Sequence, residues 1–230
     1  MLEGIIEADR NAMVFLNMGK YHTDFLDSLF WMISDIAVWT PVMLIFFFVV
    51  VKNKRKEALF IFLSVVLVFV LCDQISSSLL KPNVARLRPS RDPLVMDFLS
   101  YVREYKGGMF GFPSSHAANS FGFMVLSSLV LRYRPYTIFA AIWACLCAYS
   151  RIYLGVHFPL DILCGTILGI GFGFFCYWLL GKALQKFPAY SCAKDVCGTN
   201  VTSSGYAVSD VKAVIYTLCV VLFTIVCCAR

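Results

Sequence analysis

The chain has 230 residues, 60% of them hydrophobic and only 15% charged, with a formal net charge of +6. Apolar residues in that proportion, gathered in long runs instead of stripes, exclude an ordinary soluble domain and predict one membrane domain. The basic balance does not point to nucleic acid, because the cations sit between apolar runs and form no basic helix.

Residues 1–24 are mildly amphipathic and predict an interfacial helix lying on the bilayer. Glu3, Glu7, Asp9 and Arg10 stand where a cleavable signal peptide would be basic and then apolar. A first span is predicted from Leu26 to Val51, stopping at the basic run Lys52–Lys56, and a second from Ala58 to Leu80. A polar loop rich in Arg and Pro follows, from Lys81 to Pro113. The third span is Ser114 to Leu131, ending at Arg132-Tyr133-Arg134, and the fourth is Tyr136 to Tyr149, with a polar connection to His157. The fifth runs from Leu160 to Leu180. A polar segment, Lys182 to Asp210, leads to a sixth apolar run, Ala213 to Ala229, which at 17 residues is near the lower limit for crossing. Backbone polar groups in lipid need partners within their own segment, so these runs are helices. The fold class is all-α: a single domain, 1–230, forming a polytopic transmembrane bundle of about six spans.

Six spans put the loops Lys81–Pro113 and Arg151–His157 on one side, and the 52–57 and 132–135 loops with segment 182–210 on the other. Lys and Arg divide evenly between the sides, so the dense clusters in the short loops decide, and they place the 52–57 side in the cytoplasm.

Ten cysteines raise the question of disulfides or zinc. Eight lie within apolar runs and read as small packing residues. Cys192 and Cys197, in the polar segment, have four residues between them and no nearby histidine, a weak metal pattern, and free thiols are expected.

Three clusters break the apolar pattern on the one shared face. Lys81-Pro-Asn-Val-Ala-Arg-Leu-Arg88-Pro89 follows the second span, Pro113-Ser114-Ser115-His116 opens the third, and Ser150-Arg151, His157 and Asp161 bridge the fourth and fifth. Lys81, Arg88 and Arg151 supply positive charge, and arginines fork onto tetrahedral oxyanions. The Ser114-Ser115-His116 helix start is an anion site by its N–H groups and dipole. His157 and Asp161, four apart, share a helical face, so the carboxylate can orient the imidazole. Two histidines beside an anion cradle suit phosphoryl transfer through a phosphohistidine, one attacking phosphorus and the other protonating the leaving oxygen. The cations stabilise the equatorial oxygens, and no carboxylate cluster suited to Mg²⁺ stands on that face, so neither metal nor cofactor is expected. Taken singly, Arg86 and Arg91 read as headgroup or topology charges, Asp73 as a bundle-facing acid paired with a polar neighbour, and His22 as structural.

Together the clusters resemble the signature of the PAP2 (type 2 phosphatidic acid phosphatase) family: Lys, six residues, Arg-Pro; Pro-Ser-x-His; and Ser-Arg, five residues, His, three residues, Asp. The resemblance covers about Leu80 to Asp161, and Ser115 stands where many members have Gly. It implies that His157 is the nucleophile held by Asp161, that His116 is the general acid, and that Lys81, Arg88, Ser114, Ser115 and Arg151 bind the phosphate. The family includes soluble vanadate haloperoxidases, which the composition argues against. It implies a lipid phosphate or diphosphate as substrate, within a membrane-lipid environment. Compactness resembles the bacterial members, and on the family's range alone undecaprenyl diphosphate is the expected substrate. Lipid A, phosphatidylglycerol phosphate, phosphatidic acid, and transfer to a second lipid are the alternatives; a non-enzymatic lipid-binding protein would have a degraded motif. The expected location is the inner membrane with the site facing the periplasm.

Overall fold

The computed structural model describes residues 2–190 and 200–229, so Cys192 and Cys197 lie outside the described residues. The helices are α1 (Leu2–Leu16), α2 (Asp24–Ser34), α3 (Thr40–Asn53), α4 (Ala58–Asp73), the short α5 (Lys81–Val84), α6 (Ser115–Leu131), α7 (Arg134–Tyr153), α8 (Pro159–Lys186) and α9 (Val208–Cys228). Among the described residues there are no strands, only two isolated β-bridges. Four helical stretches are long and apolar enough to cross a membrane: Ile36–Asn53, Ala58–Val84, Pro159–Lys186 and Val208–Cys228.

Helix α6 is the axis of the bundle, packed against α4, α7 and α8, while α9 lies against α3. Its contact with α8 is close because Gly165, Gly169 and Gly173 recur at every fourth position. A Cβ at Gly169 would stand 2.2 Å from the Ala118 carbonyl oxygen, and one at Gly165 would stand 2.4 Å from that of Ser114. Small residues at this spacing let two helix backbones touch, which in lipid takes the place of hydrophobic burial. The consequence for the site is direct, since Ser114 and Gly165 lie at the ends of α6 and α8 that carry the motif residues. Elsewhere aromatic pairs fill the core: Trp39 meets Trp143 at 5.7 Å between centroids, and Phe46 meets Phe123 at 5.3 Å.

The ends of several runs differ from the sequence expectation. The run Leu26–Val51 is two helices joined by a 3₁₀ turn, Ile36–Trp39. Asp35 makes the break: its side chain accepts from the Ala37 N–H at 2.9 Å, and Pro41 then restarts the helix as α3. The second run continues past Leu80, because a π-helical stretch, Gln74–Leu80, carries the chain from α4 into α5. Ser150 and Arg151 belong to α7 and not to a connection. The sixth run is 21 residues as a helix, longer than its apolar stretch suggested.

The end opposite the motif residues is tied together by polar contacts. Lys52 and Asn53 bond the Asp210 carboxylate at 2.8 and 2.9 Å, and Ser204 donates to the Leu131 carbonyl at 2.8 Å. The eight described cysteines are free thiols.

Candidate active site

The chain leaves α5 through Ala85, whose φ of 51° turns it sharply. Residues 86–88 then pair with 109–111 in a short antiparallel bridge: Gly111 N donates to Arg86 O at 2.9 Å, and Arg88 N donates to Met109 O at 3.1 Å. In extended backbone, residues two apart point the same way. Arg86 and Arg88 therefore both enter the site.

Arg88 is 9% exposed. Its Nη1 donates to Val156 O at 3.1 Å and reaches His157 Nε2 at 3.2 Å, while Nε donates to Phe110 O at 3.2 Å. Burial, and then the nearby Arg151 charge, hold its pKa below the usual arginine value. A guanidinium can only donate, so Nε2 of His157 is the accepting nitrogen and Nδ1 carries the proton. Nδ1 faces Asp161 Oδ2 at 3.4 Å, longer than a good hydrogen bond, and completes no well-formed one. The His157 pKa is held well below its ordinary 6.5, first by burial and then by Arg88, Arg151 and Lys81, against a smaller opposing effect of the Gly111 carbonyl. His157 is thus a neutral imidazole among cations.

Asp161, fully buried, spends both oxygens: Oδ2 accepts from Phe158 N at 3.0 Å and Oδ1 from Arg86 Nη1 at 2.9 Å. Arg151 is 4% exposed; its Nη1 bonds the Ser34 hydroxyl, its guanidinium stands 5.8 Å from the Tyr105 ring, and its Nε is buried without a partner. Ser34, the last residue of α2, thus reaches Arg151 just before the chain breaks into the 3₁₀ turn. Lys81 Nζ donates to Ser115 Oγ at 2.8 Å and to Ser77 Oγ at 3.3 Å, and the two hydroxyls are 3.0 Å apart. Among the described residues no carboxylate lies within ion-pair distance of Lys81, Arg88 or Arg151.

Ser114 is fully buried and caps α6, its Oγ accepting from Ala117 N at 3.4 Å while its N–H donates to Asp161 O. The hydroxyl proton stays available, and the N–H groups of Ser115 and His116 remain at the helix start. His116, half-buried in the first turn of α6, is within electrostatic reach of Arg151, His157, Lys81 and Arg88. All eight residues named from the sequence are thus brought to one end of the bundle. Three buried or half-buried cations, helix-start N–H groups and a neutral imidazole stand together, the kinds of donor that suit a tetrahedral oxyanion. Among the described residues no group of His, Cys, Asp or Glu could hold a metal ion.

Sequence reasoning missed several participants. Arg86 is not a headgroup charge but bridges Asp161 and Asp9; its signal was the Arg-x-Arg spacing in an extended segment. Ser77, on the π-helical stretch, and Ser34 had no local signal. Gly111 is needed because a Cβ there would stand 2.8 Å from Asp161 Oδ2. Asp73 is exposed and accepts from Ser77 Oγ one turn on. His22 Nδ1 is 2.8 Å from Asp27 Oδ1, and its ring stacks on Tyr153 at 4.4 Å. Arg91 is exposed, as expected of a headgroup or topology charge.

The chain is similar to several known proteins. The chain is 36% identical over its whole length to a lipid A 4'-phosphatase of Porphyromonas gingivalis, covering 94% of that protein. It is 32% identical to a lipid A 4'-phosphatase of Bacteroides thetaiotaomicron over 94% of this chain and 93% of the relative. An undecaprenyl-diphosphatase of Sulfolobus acidocaldarius is 33% identical over 57% of this chain and 58% of its own length. The fold matches the crystal structure of a transmembrane PAP2 type phosphatidylglycerolphosphate phosphatase from Bacillus subtilis with a TM-score of 0.58 at 22% identity, over 80% of this chain and 87% of that one. Residues 57–185, more than half of the sequence and every motif position, match the PAP2 superfamily. With motifs, transmembrane fold and full-length relatives in agreement, the chain is a multi-pass membrane protein that belongs to the PAP2 superfamily.

Proposed function

We propose that the protein is a lipid phosphatase that hydrolyses a phosphate monoester of a lipid A-type glycolipid at the periplasmic face of the inner membrane. The observation that carries the chemistry is the set of cations without carboxylate partners around His157 Nε2. The substrate reading rests on the two full-length lipid A 4'-phosphatase relatives. The undecaprenyl-diphosphatase likeness spans little more than half the chain, so undecaprenyl diphosphate yields first place to lipid A.

In this reading the phosphate takes the donors now turned on protein groups. Arg88 leaves His157 Nε2 for a phosphate oxygen, and Arg151, Lys81, the Ser114 and Ser115 hydroxyls and the α6 N–H groups take the rest. Nε2 attacks phosphorus as the ester P–O bond breaks, and His116 gives a proton to the leaving oxygen. Positive charge growing on the imidazole is stabilised by Asp161 through Nδ1–H. Water then attacks the phosphohistidine, His116 takes its proton, and orthophosphate leaves. The charge stabilisation that a metal would supply comes from the three cations, so the reaction runs without one.

The test is phosphate release by the purified protein over bisphosphorylated lipid A, undecaprenyl diphosphate, phosphatidylglycerol phosphate and phosphatidic acid, with and without EDTA. The expected result is fastest release from lipid A, unchanged by chelation. Preference for undecaprenyl diphosphate would overturn the substrate assignment. Activity lost in EDTA and restored by Mg²⁺ would overturn the metal-free mechanism.

A further inference from the structure

Helix α1 sends one side chain into the site. Asp9, Met13 and Asn17 recur every fourth residue, and all three are buried. Asn17 Nδ2 donates to Ile152 O and Tyr153 O at 3.2 and 2.6 Å, and its Oδ1 accepts from Ser100 N at 2.8 Å. Arg10, beside the stripe, bonds Asp92 at 2.8 Å. Asp9 does something different. Its Oδ2 pairs with Arg86 Nη2 at 2.5 Å, and its Oδ1 accepts from Leu160 N at 2.9 Å. Arg86 in turn holds Asp161 Oδ1 through Nη1, with its guanidinium 4.3 Å from the Phe158 ring. A continuous chain of contacts therefore runs Asp9, Arg86, Asp161, His157.

The charge along this chain decides what it can do. An isolated Arg86–Asp161 pair would be neutral, and Asp161 would have little negative potential left for the imidazole. With Asp9 on the far side of Arg86, the three groups sum to one negative charge, in a buried setting where such charges act strongly. The planar guanidinium also fixes the carboxylate's orientation by taking Oδ1, so that Oδ2, which accepts from Phe158 N, is the oxygen that faces His157. Removing the Asp9 charge frees Arg86 to cancel Asp161.

We infer that Asp9 and Arg86 are positioning residues that keep the Asp161 carboxylate oriented and net negative toward His157, making α1 part of the catalytic apparatus. This rests on His157 being the phosphorylated residue, and the experiment separates the two. Rapid-quench measurement with ³²P-labelled lipid substrate follows the phosphohistidine burst in the full-length protein, alongside steady-state kinetics and melting temperature. Asp9→Asn keeps an oxygen for Leu160 N–H while losing the charge. It is expected to slow the burst and kcat about 10- to 100-fold, the usual scale for removing the partner that orients a site group, with KM little changed. In an Arg86→Met background the same change should add less than about twofold, because Asp9 acts through Arg86. Asn17→Ala, which loosens α1 without touching the charge chain, should lower the melting temperature and leave kcat near wild type. A folded Asp9→Asn protein with unchanged kcat, or with raised KM alone, overturns the inference, as does loss of kcat in Asn17→Ala matching that in Asp9→Asn. A wild-type burst that persists in His157→Ala overturns the phosphohistidine assignment instead.

Discussion

Lys81 Nζ lies 2.8 Å from Ser115 Oγ, joining the end of the π-helical stretch to the first turn of α6. The contact aligns two elements that approach the site from different helices. Lys81 sits after seven π-helical residues, and without the wider turn it would face another direction along the helix. Such stretches are costly and recur at functional sites. Here the irregular backbone delivers a cation to the N-terminus of the central helix.

The two histidines should separate in kinetics. His157→Ala is expected to abolish phosphoenzyme and to lower kcat by roughly 10⁴-fold or more, since the nucleophile is gone. His116→Ala should cost about 10²- to 10³-fold for a poor leaving group, and much less for a p-nitrophenyl ester, whose oxygen departs without a proton. A comparison of the two leaving groups in each variant checks both assignments. Equal losses for both esters in His116→Ala would contradict the general-acid role.

The glycine stripe of α8 predicts a contrast within one helix. Gly169→Ala sets a methyl carbon 2.2 Å from a backbone oxygen of α6, whereas Gly171 has nothing within 4 Å of the same position. Forcing α6 and α8 apart should destabilise the protein by about 1–3 kcal/mol and reduce activity by shifting Ser115 and His116 against His157. Gly171→Ala should leave melting temperature and rate near wild type.

Acid should loosen the fold partly through His157. Its folded pKa is held well below 6.5, so below that pH the unfolded chain binds a proton that the folded one refuses. Stability is then present in full above about pH 6.5 and is lost as the pH falls toward the folded pKa. Melting curves from pH 7 to pH 5 should fall less steeply for His157→Gln than for wild type. Identical slopes would show that the buried imidazole takes up its proton within the fold.

The side of the membrane can be read by cysteine labelling. On a background without native cysteines, Asp97→Cys and Arg55→Cys place thiols at exposed positions at the two ends of the bundle. A membrane-impermeant maleimide added to intact cells should label residue 97 and spare residue 55, following the dense cations at 52–56 and 132–134. The reverse pattern would put the site in the cytoplasm.

The parts legible in the sequence were those encoded locally. Apolar runs gave helices at the expected places, and fixed spacings singled out Lys81, Arg88, Ser114, Ser115, His116, Arg151, His157 and Asp161 as candidates, which the fold gathers at one end because each cluster brackets a helix end. What escaped were relationships between distant segments. Nothing near Arg86 announces that Asp9, 77 residues away, will pair with it. Residues 1–24 read as an interfacial helix, and amphipathicity alone did not say that Asp9, Met13 and Asn17 would be buried against protein. The first apolar run looked continuous because hydropathy is blind to a single Asp35 that caps a turn. The glycines of α8 reveal their purpose only beside Ala118 and Ser114.

Arg88 and Arg151, buried close together without carboxylates within ion-pair distance, repel one another, and the repulsion is carried by the folded protein alone. An oxyanion held between them relieves it, so binding and folding are thermodynamically linked. An anion at a hundred times its dissociation constant adds about 2.7 kcal/mol to stability. In the proposed reaction the product, orthophosphate, carries the same tetrahedral oxyanion as the substrate. Added free phosphate is therefore expected to raise the melting temperature and to slow turnover, an effect that a phosphate titration would read.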